Sequence, residues 1–262
     1  MEETGLCLDR MRTRAPLVHN ITNFVAMEPA ANVLLAIGAQ PAMVHAREEV
    51  TEFAGLAEAL NVNVGTPDPA WGAAMEAAAQ VIQMAGKPWV LDPVGVGATR
   101  FRAGLCDRLL GLHPGVIRGN ASEILALAGD PAQGRAIDSA DPVEAAEHAA
   151  RDLATRAGAV VAVSGPVDFV TDGQTAFRVA NGHPMMTRVT ALGCALNGVI
   201  AAFAVASPAL EATLAALACY GLAGERAGAK AAGPGSFLPA FLDALHAITP
   251  KELTREARVL RA

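Results

Sequence analysis

The stretch NVNVGTPDPAWGAAMEAAAQVIQMAGKPWVLDP, residues Asn61 to Pro93, decides the fold. Asn61–Gly65 reads as a strand, Pro69–Ala85 as an amphipathic helix, and Trp89–Pro93 as a second short strand. A helix between two such strands makes a βαβ unit, and repeated units build a mostly parallel sheet. Toward the N-terminus the pattern recurs. After a short N-terminal helix, Pro16–Phe24 (PLVHNITNF) is an extended apolar start that runs into polar side chains, followed by a helix over Ala26–Ile37 that Gly38 ends. Gln40–His45 then reads as a strand with Met43 and His45 at its tip, and a helix follows around Glu48–Ala59. Toward the C-terminus, Gly115–Leu125 reads as strand, turn and helix, and Ala159–Ser164 as a buried strand. Val167–Thr171 and Thr175–Val179 form an expected hairpin around Asp172–Gly173. Helices are expected from Ala195, over Pro208–Ala229 and over Gly233–Ala247. No repeat, linker or low-complexity tract interrupts this pattern, which points to one α/β domain over residues 1–262.

Composition narrows the function. Of the 262 residues, 52% are hydrophobic and 18% charged, so the chain can bury a large core and still have apolar surface for an oligomer interface. A net charge of −6 and the absence of a basic stretch argue against binding nucleic acid through its phosphates. Lysine occurs only at Lys87, Lys230 and Lys251, which leaves few candidates for a phosphate-cradling or Schiff-base lysine. The four cysteines, Cys7, Cys106, Cys194 and Cys219, are too widely spaced for a zinc site or a disulfide framework. The charged N-terminal stretch lacks the apolar region of a signal peptide, and no apolar run reaches the roughly 20 residues of a membrane span. A cytoplasmic protein with no membrane partner is expected.

In mostly parallel sheets, ligands bind beyond the carboxyl ends of the strands. That rule makes Asn23, Met43, Gly65 and Asp92 site candidates. His19, Asn20, Thr22 and Asn23 could equally cap the next helix. Asp92–Thr99 (DPVGVGAT) puts a carboxylate ahead of a glycine-rich loop, yet completes neither the dinucleotide fingerprint nor a P-loop, so a plain turn remains open. Asn120 and Glu123 fit a capping box. Asp92 and Glu123 both come from expected strand ends, a suitable supply for one Mg²⁺ shared with phosphates and water. Finally, Thr187–Ala202 (TRVTALGCALNGVIAA) places a polar turn and Cys194 in front of a long apolar helix. A helix N-terminus favours anions and eases thiol ionisation. Cys194 could also be a small buried filler.

Taken together, HNITN (His19–Asn23), PAMVHAREEV (Pro41–Val50), DPVGVGAT, RGNASEI (Arg118–Ile124), VSGPVDFVTDG (Val163–Gly173) and Gly193–Cys194 resemble the hydroxyethylthiazole kinase family, in order and along nearly the whole chain. The resemblance implies a ribokinase-like α/β fold, a central mostly parallel sheet flanked by helices on both faces. It also implies phosphorylation of the alcohol of 4-methyl-5-(2-hydroxyethyl)thiazole by ATP with Mg²⁺, for thiamine salvage, in a homotrimer with sites near subunit boundaries. By position, Cys194 matches the family cysteine that stands where most ribokinase-like enzymes have a catalytic aspartate. Asn23, Met43 and Gly65 fall on the thiazole side, Arg118 and Ser164 on the ATP side, and Asp92 and Glu123 match the magnesium-region carboxylates.

One departure stands out. The family glycine that lies against the substrate is Ala191 here, which costs on the order of 1 kcal/mol if the position needs a positive φ. Two other readings stay open: a sister kinase acting on hydroxymethylpyrimidine or another small alcohol, and a weakened thiazole-binding protein that keeps the pocket.

Overall fold

A computed structural model describes residues 2–129 and 143–262. The chain opens with α1 (Glu2–Arg14), β1 (Leu17–Ile21), α2 (Met27–Ile37), β2 (Gln40–Ala42), α3 (Val50–Leu56) and β3 (Ala59–Asn63). It continues with α4 (Pro69–Met84), β4 (Trp89–Asp92), α5 (Arg100–Leu110), β5 (Val116–Asn120) and α6 (Ala121–Ala128). Then follow α7 (Val143–Ala157), β6 (Val160–Ser164), β7 (Asp168–Thr171), β8 (Ala176–Val179) and α8 (Leu192–Ala204). The chain closes with α9 (Ala209–Gly228), α10 (Pro234–Ala247), α11 (Pro250–Glu256) and β9 (Val259–Arg261).

The strands form one sheet in the order β2-β1-β3-β4-β5-β6-β7-β8-β9. Pairings from β2 through β6 are parallel, and the last three are antiparallel. Local chemistry sets the element ends. The Asp68 carboxylate accepts from the Trp71 N–H and Pro69 opens the first turn of α4, a cap worth about 1 kcal/mol. Gly38 ends α2 at φ 103°, which an L side chain would resist.

Side chains alternate across the sheet and feed two cores. Val18, Val90 and Val116 pack under α2, α8, α9 and α10, while Leu60, Leu91 and Ile117 pack under α4 to α7. Each fully buried large side chain contributes roughly 1.5–3 kcal/mol. Among the described residues, no helix is long and apolar enough to cross a membrane.

Several expected boundaries move. The strand expected over Gln40–His45 stops at Ala42, because this edge strand pairs with β1 only over Leu17–His19. Met43 and His45 therefore lie past the strand. The helix expected to Ala59 ends at Leu56: Ala57 turns extended, and Ala59 is already paired with Val18. For the same reason β3 begins at Ala59; its last paired residue is Asn63, opposite Asp92, so it ends two residues before Gly65. No turn separates β5 from α6, since the last residue of the strand, Asn120, is itself the helix cap. The helix expected from Ala195 starts at Leu192, so Cys194 lies inside its first turn. The sequence reading has no counterpart for α5, α7, α11 or β9.

Candidate functional site

The chain runs from β1 to β2 on one side and then to β3 on the other, so the strand order reverses at β1. Ligand crevices in open α/β sheets form at such a switch point, outside the carboxyl ends. Helix α8 passes over β1, β3 and β4 there. The alternation that puts Val18, Ala59 and Val90 on the α8 face also brings Asn20, Asn61, Asn63 and Asp92 onto it. The upper end of the seam is thus polar, and α8 covers it with Cys194 and Asn197, one turn apart.

These side chains form one connected set. Asn23 donates from Nδ2 to Asn63 Oδ1 at 2.8 Å and faces Cys194 Sγ at 3.5 Å. Its Oδ1 accepts the Val25 and Ala26 N–H groups, each at 3.0 Å. Asn23 therefore caps the turn before α2 and also reaches the cysteine; the two readings of HNITN are compatible. His19 faces the opposite side of the sheet, edge-on to Phe53 with Nε2 on the Val44 carbonyl, and takes no part in this set. Burial lowers its pKa, so the ring is neutral and donates through Nε2. Gly65 is shaped by Asn23: an added Cβ would stand 2.7 Å from its Nδ2.

On the carboxylate side, Asp92 is 2% exposed, and Oδ2 accepts from Asn63 at 2.5 Å and Asn197 at 2.6 Å. Burial pushes its pKa up and the nearby Glu123 carboxylate adds to this, while Arg118 and the two amides work against it. Glu123 accepts from the Gly95 N–H through Oε1 and from the Asn120 N–H through Oε2, closing a capping box with Asn120. The capping residue thus also reaches the loop after β4. Carboxylate oxygens carry spare lone pairs, so these bonds leave room for a further ligand. Among the described residues no three His, Cys, Asp or Glu side chains gather into a metal cluster. A hard divalent ion held by two carboxylates, phosphates and water needs only a pair, and the electrostatic coupling of Glu123 to Asp92 favours a cation beside them.

Cys194 overturns one expectation. Its pKa is pushed up to about 11, first by burial and then by Asp92, with the facing Asn63 and Asn23 amides pulling the other way. With the value pushed that high, the thiol is protonated at neutral pH. Ala191 takes φ 65° and ψ −1° at the N-cap of α8, so this position does require the left-handed region. The turn is held from both sides: Arg118 Nη1 donates to the Gly193 carbonyl at 2.9 Å, and the buried Tyr220 hydroxyl donates to the Leu192 carbonyl at 2.7 Å. Burial raises the Tyr220 pKa and keeps it a donor.

Two candidates stand apart from the network. Met43 sits one residue past β2, half-buried against the α8-side core, and Ser164 at the end of β6 donates to the Gly119 carbonyl at 3.2 Å. Four residues were not singled out from sequence: Asn63, Asn197, Arg102 and Tyr220. The alternating NVN of β3 and the one-turn spacing of Asn197 from Cys194 were readable signals for the first two. Arg102 carries no such signal. Its guanidinium donates to the Val64, Gly65 and Val94 carbonyls and ties together the loops after β3 and β4.

Known proteins match this chain in sequence and fold. The model of the "Hydroxyethylthiazole kinase family" matches residues 8–251. A hydroxyethylthiazole kinase of Cereibacter sphaeroides is 64% identical over 259 residues, covering 99% of each chain. One from Rhizobium leguminosarum bv. trifolii is 56% identical over 260 residues, covering 98% of this chain and 97% of its own. Among solved structures, a hydroxyethylthiazole kinase protein from Pyrococcus horikoshii OT3 superposes with a TM-score of 0.92 at 40% identity, with all of both chains covered. A Staphylococcus aureus pyridoxal kinase shares the fold, with a TM-score of 0.67 at 16% identity over 95% of this chain and all of its own. With the family match running through the strand ends, the capping box and the turn before α8, this chain belongs to the hydroxyethylthiazole kinase family.

Proposed function

We propose that this chain transfers the γ-phosphoryl group of ATP to the alcohol of 4-methyl-5-(2-hydroxyethyl)thiazole in thiamine salvage. The observation that carries the assignment of the site is the unbroken chain of hydrogen bonds from Asn23 and Cys194 through Asn63 to Asp92. It joins an acceptor side and a carboxylate side at the switch point of the sheet. In the transfer, the alcohol oxygen bonds to the γ-phosphorus while the bridging bond breaks and ADP leaves with the electron pair. Such a transition state is loose, so positioning and electrostatics do most of the work and early proton removal matters little.

The residues divide accordingly. Asn23, Met43 and Gly65 shape the thiazole side, and Ala191 sets the turn against it. The unpaired N–H groups at the start of α8, together with Arg118 and Ser164, meet the phosphates of ATP. Cys194 orients the alcohol as a neutral thiol, a role that fits a pKa near 11, and the alcohol's proton leaves late, onto an oxygen of the transferred phosphoryl group. Asp92 and Glu123 would hold a Mg²⁺ ion, which supplies charge neutralisation on the phosphate oxygens.

We place the enzyme in the cytoplasm, as one catalytic domain over residues 1–262 that works as a homotrimer. Support for the trimer lies beside Asn23, where Phe24 and Val25 are 65% and 56% exposed. Phe24 meets Trp71 edge-on and Trp71 stacks on His45.

A coupled ADP-release assay with the thiazole alcohol tests the activity. Thiazole-dependent ADP formation is expected, and preference for hydroxymethylpyrimidine in the same assay would reassign the substrate. Thiazole binding in calorimetry with no turnover at millimolar substrate would instead point to the weakened binding protein.

A further inference from the structure

Asn63 is fully buried at the end of β3 and touches four other members of the site: Gly65, Asn23, Asp92 and the Cys194 thiol that its amide faces. Its Oδ1 accepts the Gly65 N–H at 2.9 Å and Asn23 Nδ2 at 2.8 Å, while its Nδ2 donates to Asp92 Oδ2. An asparagine amide could in principle be turned over, but here each orientation is forced. The Gly65 N–H is a donor only, so it requires the oxygen of Asn63 on its side and the nitrogen toward Asp92. The Val25 and Ala26 N–H groups likewise require the oxygen of Asn23, which turns Asn23 Nδ2 toward Asn63 and Cys194. Backbone donors thus lock two amides in series, and rotating either would set donor against donor. Asn197 shares only the far end of this chain, as the second donor to Asp92 Oδ2.

Building on the kinase reading above, we propose that Asn63 is a positioning residue with two separable arms: its oxygen fixes the Asn23–Gly65 side that receives the alcohol, and its nitrogen fixes the Asp92 carboxylate on the phosphoryl side. Nothing in either arm requires Asn63 to touch a substrate. Its contribution is to hold the two halves of the site at one spacing, because one planar amide sets both distances.

Three variants separate the arms, with kcat measured at pH 8 and thiazole binding measured by calorimetry without nucleotide or metal. Asn63→Asp keeps an oxygen for Gly65 and Asn23 but puts acceptor against acceptor at Asp92. It is expected to lower kcat by about 10–100-fold, the usual cost of losing a group that orients a functional carboxylate, and to leave the thiazole Kd within about threefold. Asn63→Leu removes both arms and is expected to weaken thiazole binding by about tenfold or more as well as lowering kcat. Asn197→Leu should lower kcat and leave the Kd alone. Thermal melts establish that each variant is folded.

The assignment is overturned if folded Asn63→Asp keeps wild-type kcat, if Asn63→Leu binds thiazole as wild type does, or if Asn63→Asp loses binding as fully as Asn63→Leu. Failure of both Asn63 variants to fold would also overturn it, marking the residue as a core element. The wild-type enzyme assayed alongside distinguishes the two levels. Absence of thiazole-dependent ADP formation there sinks the kinase reading, whereas the binding arm still decides the role of Asn63.

Discussion

At the scale of single residues, Ala191 and Cys194 show how a local cost and a local environment set chemistry. Ala191 keeps the left-handed turn that a glycine would adopt freely, and its backbone stands at φ 65°. Its Cβ costs on the order of 1 kcal/mol there, partly offset because alanine orders the unfolded chain. Ala191→Gly should therefore raise stability by about 0.5–1 kcal/mol, read as a higher denaturant midpoint at unchanged slope. A lower midpoint would show that the turn carries no strain. Cys194 is a half-buried thiol with amide neighbours, pushed up to about 11 mainly by desolvation. Removing an orienting group realised in the transition state lowers turnover more than affinity. Cys194→Ala is thus expected to reduce kcat by about 10–100-fold with little change in the KM for thiazole. A raised KM with normal kcat would move Cys194 from the chemistry to ground-state binding.

Among the elements, helix ends do the positioning. Helix α6 is capped by Asn120 and Glu123 reciprocally, and the same Glu123 takes the Gly95 N–H from the loop after β4. A sequence motif with an ordinary structural explanation here also brings a carboxylate to the site. A second capping box, Thr249 with Glu252, opens α11 and has no part in the site. Hydrogen bonds from the Thr249 backbone and hydroxyl, then Arg226, hold the Glu252 pKa down to about 2 from an ordinary 4.5. The sign follows from linkage: a depressed folded-state value means the stabilisation is whole above about pH 4.5 and is lost as pH falls through about 2. Glu252→Gln should accordingly lose less Tm than wild type between about pH 5 and pH 2. Parallel Tm curves over that range would remove Glu252 from the acid transition.

For the molecule as a whole, the sheet sets which strand ends meet, and the exposed Phe24 and Val25 next to Asn23 connect the site to the outside of the chain. Sedimentation equilibrium is expected to give three times the 26.8 kDa chain mass, and Phe24→Glu should shift the population toward monomer by burying a charge in an apolar contact. A wild-type monomer at micromolar concentration would overturn the trimer. Much of this was legible in the chain alone. Apolar runs near residues 61–65 and 89–93 with a helical pattern between them determine a parallel α/β sheet, because periodicity and length are local properties. The quoted motifs likewise singled out Asn23, Asp92, Glu123 and Cys194 as candidates, and the strand-end rule added Gly65. Only the tertiary structure decided that β3 stops at Asn63, that Asn63 and Asn197 converge on one oxygen of Asp92, and that Ala191 is left-handed. It also decided that the Cys194 thiol is hard to ionise, since desolvation depends on what the sheet and α8 exclude from around the sulfur, and spacing along the chain does not record that.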